Sequence, residues 1–151
     1  MTQLAPEGQL ELISFEIGGQ EFCIDIRVVR EIRGWTPATA IPQTPGYVHG
    51  VINLRGAVMP VLDLRERLGL GRTDPASRHV IVVVQHDNRM AGLVVDAVQE
   101  TFMVEASLLQ APPPLGARTD DLFVDAIIPL DGRMLSRLVV GALLPTTRQA
   151  A

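Results

Sequence analysis

Hydrophobic and polar residues alternate along much of this chain with the two-residue period of β-strands. The runs "ELISFEI" and "EFCIDI" flank the turn "GGQ", which predicts a first hairpin. In its second strand, Phe22, Ile24 and Ile26 should point to one face, and Cys23 and Asp25 to the other. "VVREIRG" then predicts a short strand that ends at a glycine.

The middle of the chain predicts a second set of strands after a long connection. "WTPATAIPQTPG" holds three prolines and should be an extended surface segment. "YVHGVINLRG" and "AVMPVLDL" predict strands with Gly56 in the turn between them. Pro60 should place its part of the second strand at an edge or a bulge, since proline donates no ladder hydrogen bond. "RERLGLG" predicts one helical turn.

The remaining third repeats the same style of pattern. "HVIVVVQ" and "MAGLVVDAV" predict another hairpin around "HDNR", "APPPLGA" predicts a loop, and "DAIIPLDGRMLSRLVVGALL" closes the chain. Helices of ten or more periodic residues are scarce. Many short strands with frequent turns predict a mainly β fold, either small barrels or a sandwich.

A faint internal repeat accompanies this pattern. A shift of about 69 positions superposes the two hairpin turns, and a slightly larger shift aligns "GAVMPVLDLRERL" with "GRMLSRLVVGALL". The aligned pairs include Ile13 with Val82, Ile24 with Leu93, Val29 with Val98, Glu31 with Glu100, Gly56 with Gly132 and Leu62 with Leu138. The repeat predicts two similar β-subdomains that share an apolar interface.

Length, composition and charge limit the function classes. The 151 residues suit one domain or two small subdomains, and 47% hydrophobic residues indicate a chain that folds. The net charge is −4, and the 13 cationic residues, all arginine, are dispersed, which argues against nucleic acid or anionic membrane as the main partner. We expect flexible tails at 1–9 and 146–151 around a domain at 10–145. Without a signal-peptide pattern or a long apolar run, the sequence predicts a cytoplasmic protein.

Motifs for catalysis and metal binding are missing. His49, His79 and His86 lie in separate segments without metal-ligand spacing. We expect Cys23 to be a small packed residue that stays reduced in the cytoplasm. No nucleophile elbow or phosphate-binding loop occurs. The sequence therefore predicts no catalytic residue, metal or cofactor, and a binding module rather than an enzyme. A small β-barrel enzyme or nucleic-acid binder is the remote alternative.

Arg55 stands out because it lies within an apolar run that reads as a buried strand. Burying an arginine without a carboxylate partner would cost several kcal/mol. Glu31 and Asp63 are the candidate partners by pattern. We hypothesise a Glu31–Arg55 pair, because "VVREIRG" and "GVINLRG" could lie side by side as short strands, with Arg55 as a strut whose loss destabilises the fold.

These motifs resemble the CheW family of bacterial chemotaxis adaptors. The resemblance rests on "EFCIDIRVVREIRG", "IPQTPGYVHGVINLRGAVMPVLDLRERLGL" and "RMAGLVVDAVQETFMV", in this order. It implies two five-stranded SH3-like barrels packed on a shared apolar interface. It leaves open an exchange of strands between the two barrels, which would intertwine them along the chain. It also implies a non-enzymatic adaptor in the cytoplasm, recruited to inner-membrane arrays. There it would couple methyl-accepting chemoreceptor tips to the regulatory domain of the CheA histidine kinase, with other CheW copies in rings as further partners.

The resemblance also assigns residues to this function. It implies that Glu31 and Arg55 pair and that neighbouring residues contact or support a receptor groove between the barrels. These neighbours are Val29, Ile32, Val51, Asn53, Val94 and Val95. The C-terminal third departs from the family pattern, with Asp125 or Ala126 in place of a glycine and Val139 in place of an aspartate. A CheW-like scaffold of a non-flagellar pathway, controlling pili, development or a second messenger, is the close alternative.

Overall fold

The computed structural model describes residues 8–74, 76–113 and 123–145, and within them the chain is almost entirely β-structure. The strands are β1 (Gln9–Ile17), β2 (Gln20–Asp25), β3 (Val29–Gly34), β4 (Val48–Leu54), β5 (Ala57–Asp63), β6 (Val80–His86), β7 (Arg89–Val95), β8 (Ala97–Glu105), β9 (Val124–Leu130) and β10 (Arg133–Leu138). The helical turns are α1 (Leu64–Arg67), α2 (Val140–Leu143) and the 3₁₀ turns Ile26–Val28 and Ala106–Leu108. The predicted mainly β fold with short helical segments is confirmed.

The predicted tails fall mostly outside the described residues, as does part of the "APPPLGA" loop. Gly8 and Gln9 are the described part of the N-terminal segment, and β1 already begins at Gln9. The Gly8 carbonyl accepts a hydrogen bond from the Ala106 backbone N–H at 2.7 Å. These two residues are therefore held against the 3₁₀ turn after β8.

The strands form two five-stranded sheets with equivalent orders. The first sheet runs β8-β1-β2-β10-β9 and the second runs β3-β6-β7-β5-β4. β3 follows β2 along the chain but pairs with β6 in the second sheet. β8 follows β7 but pairs with β1 in the first sheet. The chain therefore crosses between the sheets after β2 and again after β7. No ladder joins the edge strands of either sheet within the described ranges, so the expected closure into barrels is not seen in the hydrogen bonding.

The internal repeat of the sequence corresponds to this topology. Strands β1, β2 and β3 match β6, β7 and β8, while β4, β5 and α1 match β9, β10 and α2. The turns that join β4 to β5 and β9 to β10 share one conformation. Arg55 and Gly56 have φ of 52° and 88°, and Asp131 and Gly132 have 51° and 79°, which is the geometry of a two-residue hairpin turn.

Three apolar clusters explain why several strands are continuously hydrophobic. A central cluster between the sheets draws on both of them, and a lateral cluster lies on the far side of each sheet. In β6, Val82 and Val84 belong to the central cluster, while Ile81 and Val83 belong to the lateral cluster of the second sheet. Both faces of β6 are buried, and an alternating pattern is therefore replaced by the run "VIVVV".

The first hairpin shows the same two-sided burial. Phe22 and Ile24 enter the central cluster, and Cys23 enters the lateral cluster of the first sheet. The predicted alternation of β2 is confirmed, although the strand ends at Asp25 and Ile26 begins a 3₁₀ turn.

One strand was missed. The run "MAGLVVDAV" was expected to be a single strand, but β7 ends at Val95 and β8 starts at Ala97. Asp96 lies at the break, where its Oδ2 accepts a hydrogen bond from the Gly18 backbone N–H at 2.8 Å. The chain passes from one sheet to the other at this point.

Pro60 lies where its missing N–H breaks no ladder bond. It is opposite Val51, whose N–H and C=O both pair instead with Thr39, at 2.9 Å each. On its other side, the parallel ladder between β5 and β7 begins only at Val61. The predicted edge or bulge at Pro60 is wrong, because β5 is an inner strand of its sheet and the bulge of the β4–β5 ladder lies between Val48 and Gly50 of β4.

Candidate partner-binding site

All eight residues assigned by sequence to partner binding or support lie on the second sheet or on its β4–β5 turn. β3 carries Val29, Glu31 and Ile32, β4 carries Val51 and Asn53, Arg55 is in the turn, and β7 carries Val94 and Val95. β3 and β4 are the two edges of this sheet, and β7 is its central strand. The set therefore spans the whole width of one sheet.

The position of Arg55 differs from the expectation. Arg55 does not lie within an apolar strand, because β4 ends at Leu54 and Arg55 is the first residue of the two-residue turn. Its side chain is 71% exposed. Asn53 closes the turn, since its Oδ1 accepts a hydrogen bond from the Gly56 backbone N–H at 2.9 Å. Arg55 is consequently an exposed turn residue and not a buried strut.

The structure does contain the ion pair between Glu31 and Arg55. Arg55 Nη2 donates to Glu31 Oε2, and Arg33 Nη1 lies 3.8 Å from the other oxygen, Oε1. The reason given for this pair was wrong, because β3 and β4 are opposite edges of the sheet and not hydrogen-bonded neighbours. The contact thus links the two edges of the second sheet through side chains.

The apolar members of the set fall into two groups. Ile32 is 45% exposed on β3, and Val29 and Val51 are half-buried. Val94 and Val95 are buried, Val94 in the lateral cluster of the second sheet and Val95 in the central cluster. Only the first group presents apolar surface to a partner without rearrangement of the sheet.

Sequence reasoning missed a cleft of mixed polarity near the Arg55 turn. Val58, three residues after Arg55, is 66% exposed. It lies in a cleft of about 380 Å³ where β5 and β7 diverge. The cleft is lined by Val58, Pro60, Asn88, Arg89, Met90, Ala91, Leu144 and Pro145. The signal available in the sequence was Val58, a β-branched residue two positions after the turn glycine, Gly56.

The first sheet carries a counterpart of the ion pair that was not predicted. Arg133, directly after the equivalent turn, donates to Glu21 Oε2 at 2.9 Å and to Glu100 Oε2 at 3.1 Å. Its neighbour Met134 is 72% exposed and lies in a cleft of about 460 Å³. The alignment of Glu31 with Glu100 in the internal repeat was a signal for this cluster.

Within the described residues, Cys23 is buried and the three histidines lie apart from one another. Burial raises the pKa of the Cys23 thiol to about 12, which Arg137 only partly offsets, so the thiol stays protonated and unreactive at neutral pH. The histidines are dispersed, and each has its Nε2 near a different aspartate. The distance is 3.9 Å from His49 to Asp63 Oδ2, 3.4 Å from His79 to Asp96 Oδ1 and 3.6 Å from His86 to Asp87 Oδ2. Within the same ranges, no three His, Cys, Asp or Glu side chains are grouped to hold a metal ion.

The helices offer no route across a bilayer. In the part of the chain that the structure describes, no helix is both long and apolar enough to cross a membrane.

Comparison with known proteins assigns the chain to a family. Residues 11–148 match the CheW-like domain family. The chain is 47% identical to the probable chemotaxis protein CheW of Rhizobium etli, over 96% of this chain and 94% of the relative, and 44% identical to the chemotaxis protein CheW of Rhizobium meliloti, over 95% and 93%. The crystal structure of the scaffolding protein TtCheW from Thermoanaerobacter tengcongensis superposes with a TM-score of 0.83 at 32% identity, covering 91% of this chain and 94% of that one. The two-sheet chain described here therefore belongs to the CheW family of chemotaxis proteins.

Proposed function

We propose that this protein is a non-enzymatic adaptor that couples the cytoplasmic tips of methyl-accepting chemoreceptors to the regulatory domain of the CheA histidine kinase. Family membership over nearly the full chain is the observation that carries the proposal. The surfaces fit this role, because exposed apolar residues and ion pairs are concentrated at sheet edges and turns. In this proposal the protein works in the cytoplasm at inner-membrane arrays, its sheets curl as SH3-like barrels, and further copies join as ring partners.

The candidate receptor surface is the edge region of the second sheet. Ile32 supplies exposed apolar area on one edge strand, and the half-buried Val29 and Val51 lie on the two edge strands. The Glu31–Arg55 pair fixes the turn beside this area. Val94 and Val95 support the sheet from within, since their burial leaves no surface for contact. A partner would therefore meet an apolar centre with a charged rim, which is the usual arrangement of a protein interface.

The test is recovery of receptor and kinase from native membranes and cytoplasm with this protein as bait. Two matched variants locate the surface: Ile32→Ser on β3 of the second sheet and Met103→Ser on β8 of the first sheet. Each removes a large apolar residue that is 45% exposed. We expect Ile32→Ser to lower receptor recovery and Met103→Ser to leave it unchanged. Recovery of neither partner by the unaltered protein would contradict the adaptor function.

A scaffold role in a non-flagellar chemosensory pathway is the second candidate. The protein named PilI of Pseudomonas aeruginosa is 33% identical over 67% of this chain, although the match covers only 58% of PilI. Deletion of the gene separates the two candidates. Loss of swimming chemotaxis with intact surface motility and development supports the first, and the opposite phenotype supports the second.

A further inference from the structure

Two helical turns meet where the sheets join, and each packs on the hairpin of the opposite sheet. α1 follows β5 of the second sheet, and its Arg65 lies against the first hairpin, with Nε 3.7 Å from where a Cβ would be at Gly18. α2 follows β10 of the first sheet and packs on the end of β6. A Cβ at Gly141 would lie only 2.6 Å from His86 Nε2. Each helical turn therefore links its own sheet to the opposite sheet.

Arg67 connects these two turns directly. From α1 it donates hydrogen bonds to the carbonyl oxygens of Leu143, at 2.8 Å, and Ala142, at 3.0 Å, in the last turn of α2. Its guanidinium carbon, Cζ, also lies over two rings, 4.2 Å from the centroid of Tyr47 and 4.9 Å from that of Phe123. Tyr47 precedes β4 and Phe123 precedes β9. One side chain therefore contacts both repeats of the chain.

The Arg67 contact breaks the internal repeat, because the other repeat has no arginine at the equivalent position. In the alignment that pairs β4–β5–α1 with β9–β10–α2, Tyr47 corresponds to Phe123, and Arg67 corresponds to Leu143. The arginine binds the carbonyl of its own counterpart. The apolar central cluster itself supplies no directional bond, whereas the planar guanidinium of Arg67, with two hydrogen bonds and two cation–π contacts, defines an orientation.

We propose that Arg67 is a positioning residue that fixes the angle between the two sheets, and through it the relative placement of the partner surfaces on each sheet. The geometric part stands on the contacts above, and the consequence for partner assembly rests on the proposed adaptor function. Loss of Arg67 should leave each sheet folded and each separate partner bound, but should weaken assembly with both partners at once.

The test combines residual dipolar couplings with binding measurements on the full chain. Backbone couplings of each sheet give its orientation in the same aligned sample, so a rotation of one sheet relative to the other is measured directly. Arg67→Met keeps an unbranched, flexible apolar stem and removes the hydrogen bonds and charge of the guanidinium. Arg67→Lys keeps the charge without the fork. Arg72→Met is the matched control, since Arg72 is exposed and pairs with Glu66 Oε1 at 3.3 Å.

For Arg67→Met we expect couplings that fit each sheet separately but require a changed angle between them, a smaller change for Arg67→Lys and none for Arg72→Met. Simultaneous binding of receptor fragment and kinase should weaken about tenfold, while each single affinity stays within about twofold. An unchanged angle in Arg67→Met, or in Arg67→Lys should the first variant not fold, overturns the proposal. If the angle changes but the unaltered protein binds neither partner, the adaptor function fails and the positioning role stands.

Discussion

The two sheets of this protein have the same strand order, the same turn geometry and matching positions for their helical turns, yet their ends carry different chemistry. The Arg55 turn of the second sheet lies near a cleft of mixed polarity that contains Val58 and Pro60. The equivalent turn of the first sheet stands beside Arg133, Met134 and two glutamates. A repeated framework has thus been given two distinct surfaces.

The repeats also differ in how their helical turns are capped. Asp63 is buried before α1 and accepts hydrogen bonds from the backbone N–H groups of Thr73, at 2.7 Å, and Glu66, at 3.4 Å. Val139, in the same place before α2, makes no side-chain cap. Arg67 instead binds the carbonyls at the other end of α2. The departure from the family pattern at Val139 is therefore accompanied by an alternative way of holding α2.

The largest expected difference between the repeats is at the bulge in β4. Gly50 has a φ of 151°, and a Cβ there would lie 2.2 Å from the Thr39 carbonyl oxygen, whereas Ala126 occupies the equivalent place in β9. Gly50→Ala should lower the free energy of unfolding by about 3 kcal/mol, because backbone must move. Ala126→Gly, the matched change, should cost about 1 kcal/mol. Urea denaturation measures both, and equal costs would show that the bulges are equivalent after all.

Removal of the Asp63 cap should have the next largest effect. Asp63→Ala leaves two backbone donors without their carboxylate and should cost about 2 kcal/mol. Val139→Ala at the equivalent position should change the free energy of unfolding by less than about 1 kcal/mol, since no cap bond is lost. Thermal and urea unfolding of the two variants compare the sites, and a larger loss for Val139→Ala would contradict the assigned cap.

The ion pairs at the two turns should matter less for stability. Arg55→Ala should cost less than about 1 kcal/mol, because the pair is largely exposed and screened by salt. Arg133→Ala removes contacts with two carboxylates and should lower the melting temperature further than Arg55→Ala. Calorimetry at low and high salt tests the order. A severe loss of stability for Arg55→Ala alone would restore the role of Arg55 as a strut.

The smallest effect concerns Asp25 at the end of β2. Burial of its carboxyl tends to raise its pKa, but hydrogen bonds and charge from Arg27 outweigh this and hold the pKa below its usual 3.8. A lowered pKa in the folded state gives stability that is present above 3.8 and is lost as the pH falls through the folded value. Arg27→Ala should therefore lose less stability on acidification than the unaltered protein. Arg72→Ala, the matched change, should titrate like the unaltered protein; identical curves for Arg27→Ala would contradict the assigned cause.

Sequence reasoning predicted the strands that are defined by local pattern. Both hairpins, the Gly56 turn and the repeat follow from periodicity and glycine placement. β8 was missed because Gln99, Glu100 and Thr101 are exposed on an edge strand and interrupt the apolar alternation. Three consecutive exposed polar residues leave no two-residue alternation to detect, so the local signal for β8 is weak.

The candidate site was only partly predictable for a related reason. The partnership of Glu31 with Arg55 could be proposed from charge and family resemblance, but the path between them could not. They meet across opposite edges of one sheet, and this depends on the curl of all five strands. Arg67 was not singled out because nothing local distinguishes an arginine in "LRER" that reaches another repeat.

The central claim is that the second sheet carries the receptor surface beside the Glu31–Arg55 pair. The most direct test is to measure receptor affinity after charge reversal of the arginine at each of the two equivalent turns. Titration of a receptor-tip fragment should show a loss of about tenfold or more for Arg55→Glu, with most of it restored when Glu31→Arg is added. Arg133→Glu on the first sheet should leave the affinity within about twofold, provided that thermal unfolding shows it folded. Unchanged affinity for Arg55→Glu, or a greater loss for Arg133→Glu, would contradict this assignment.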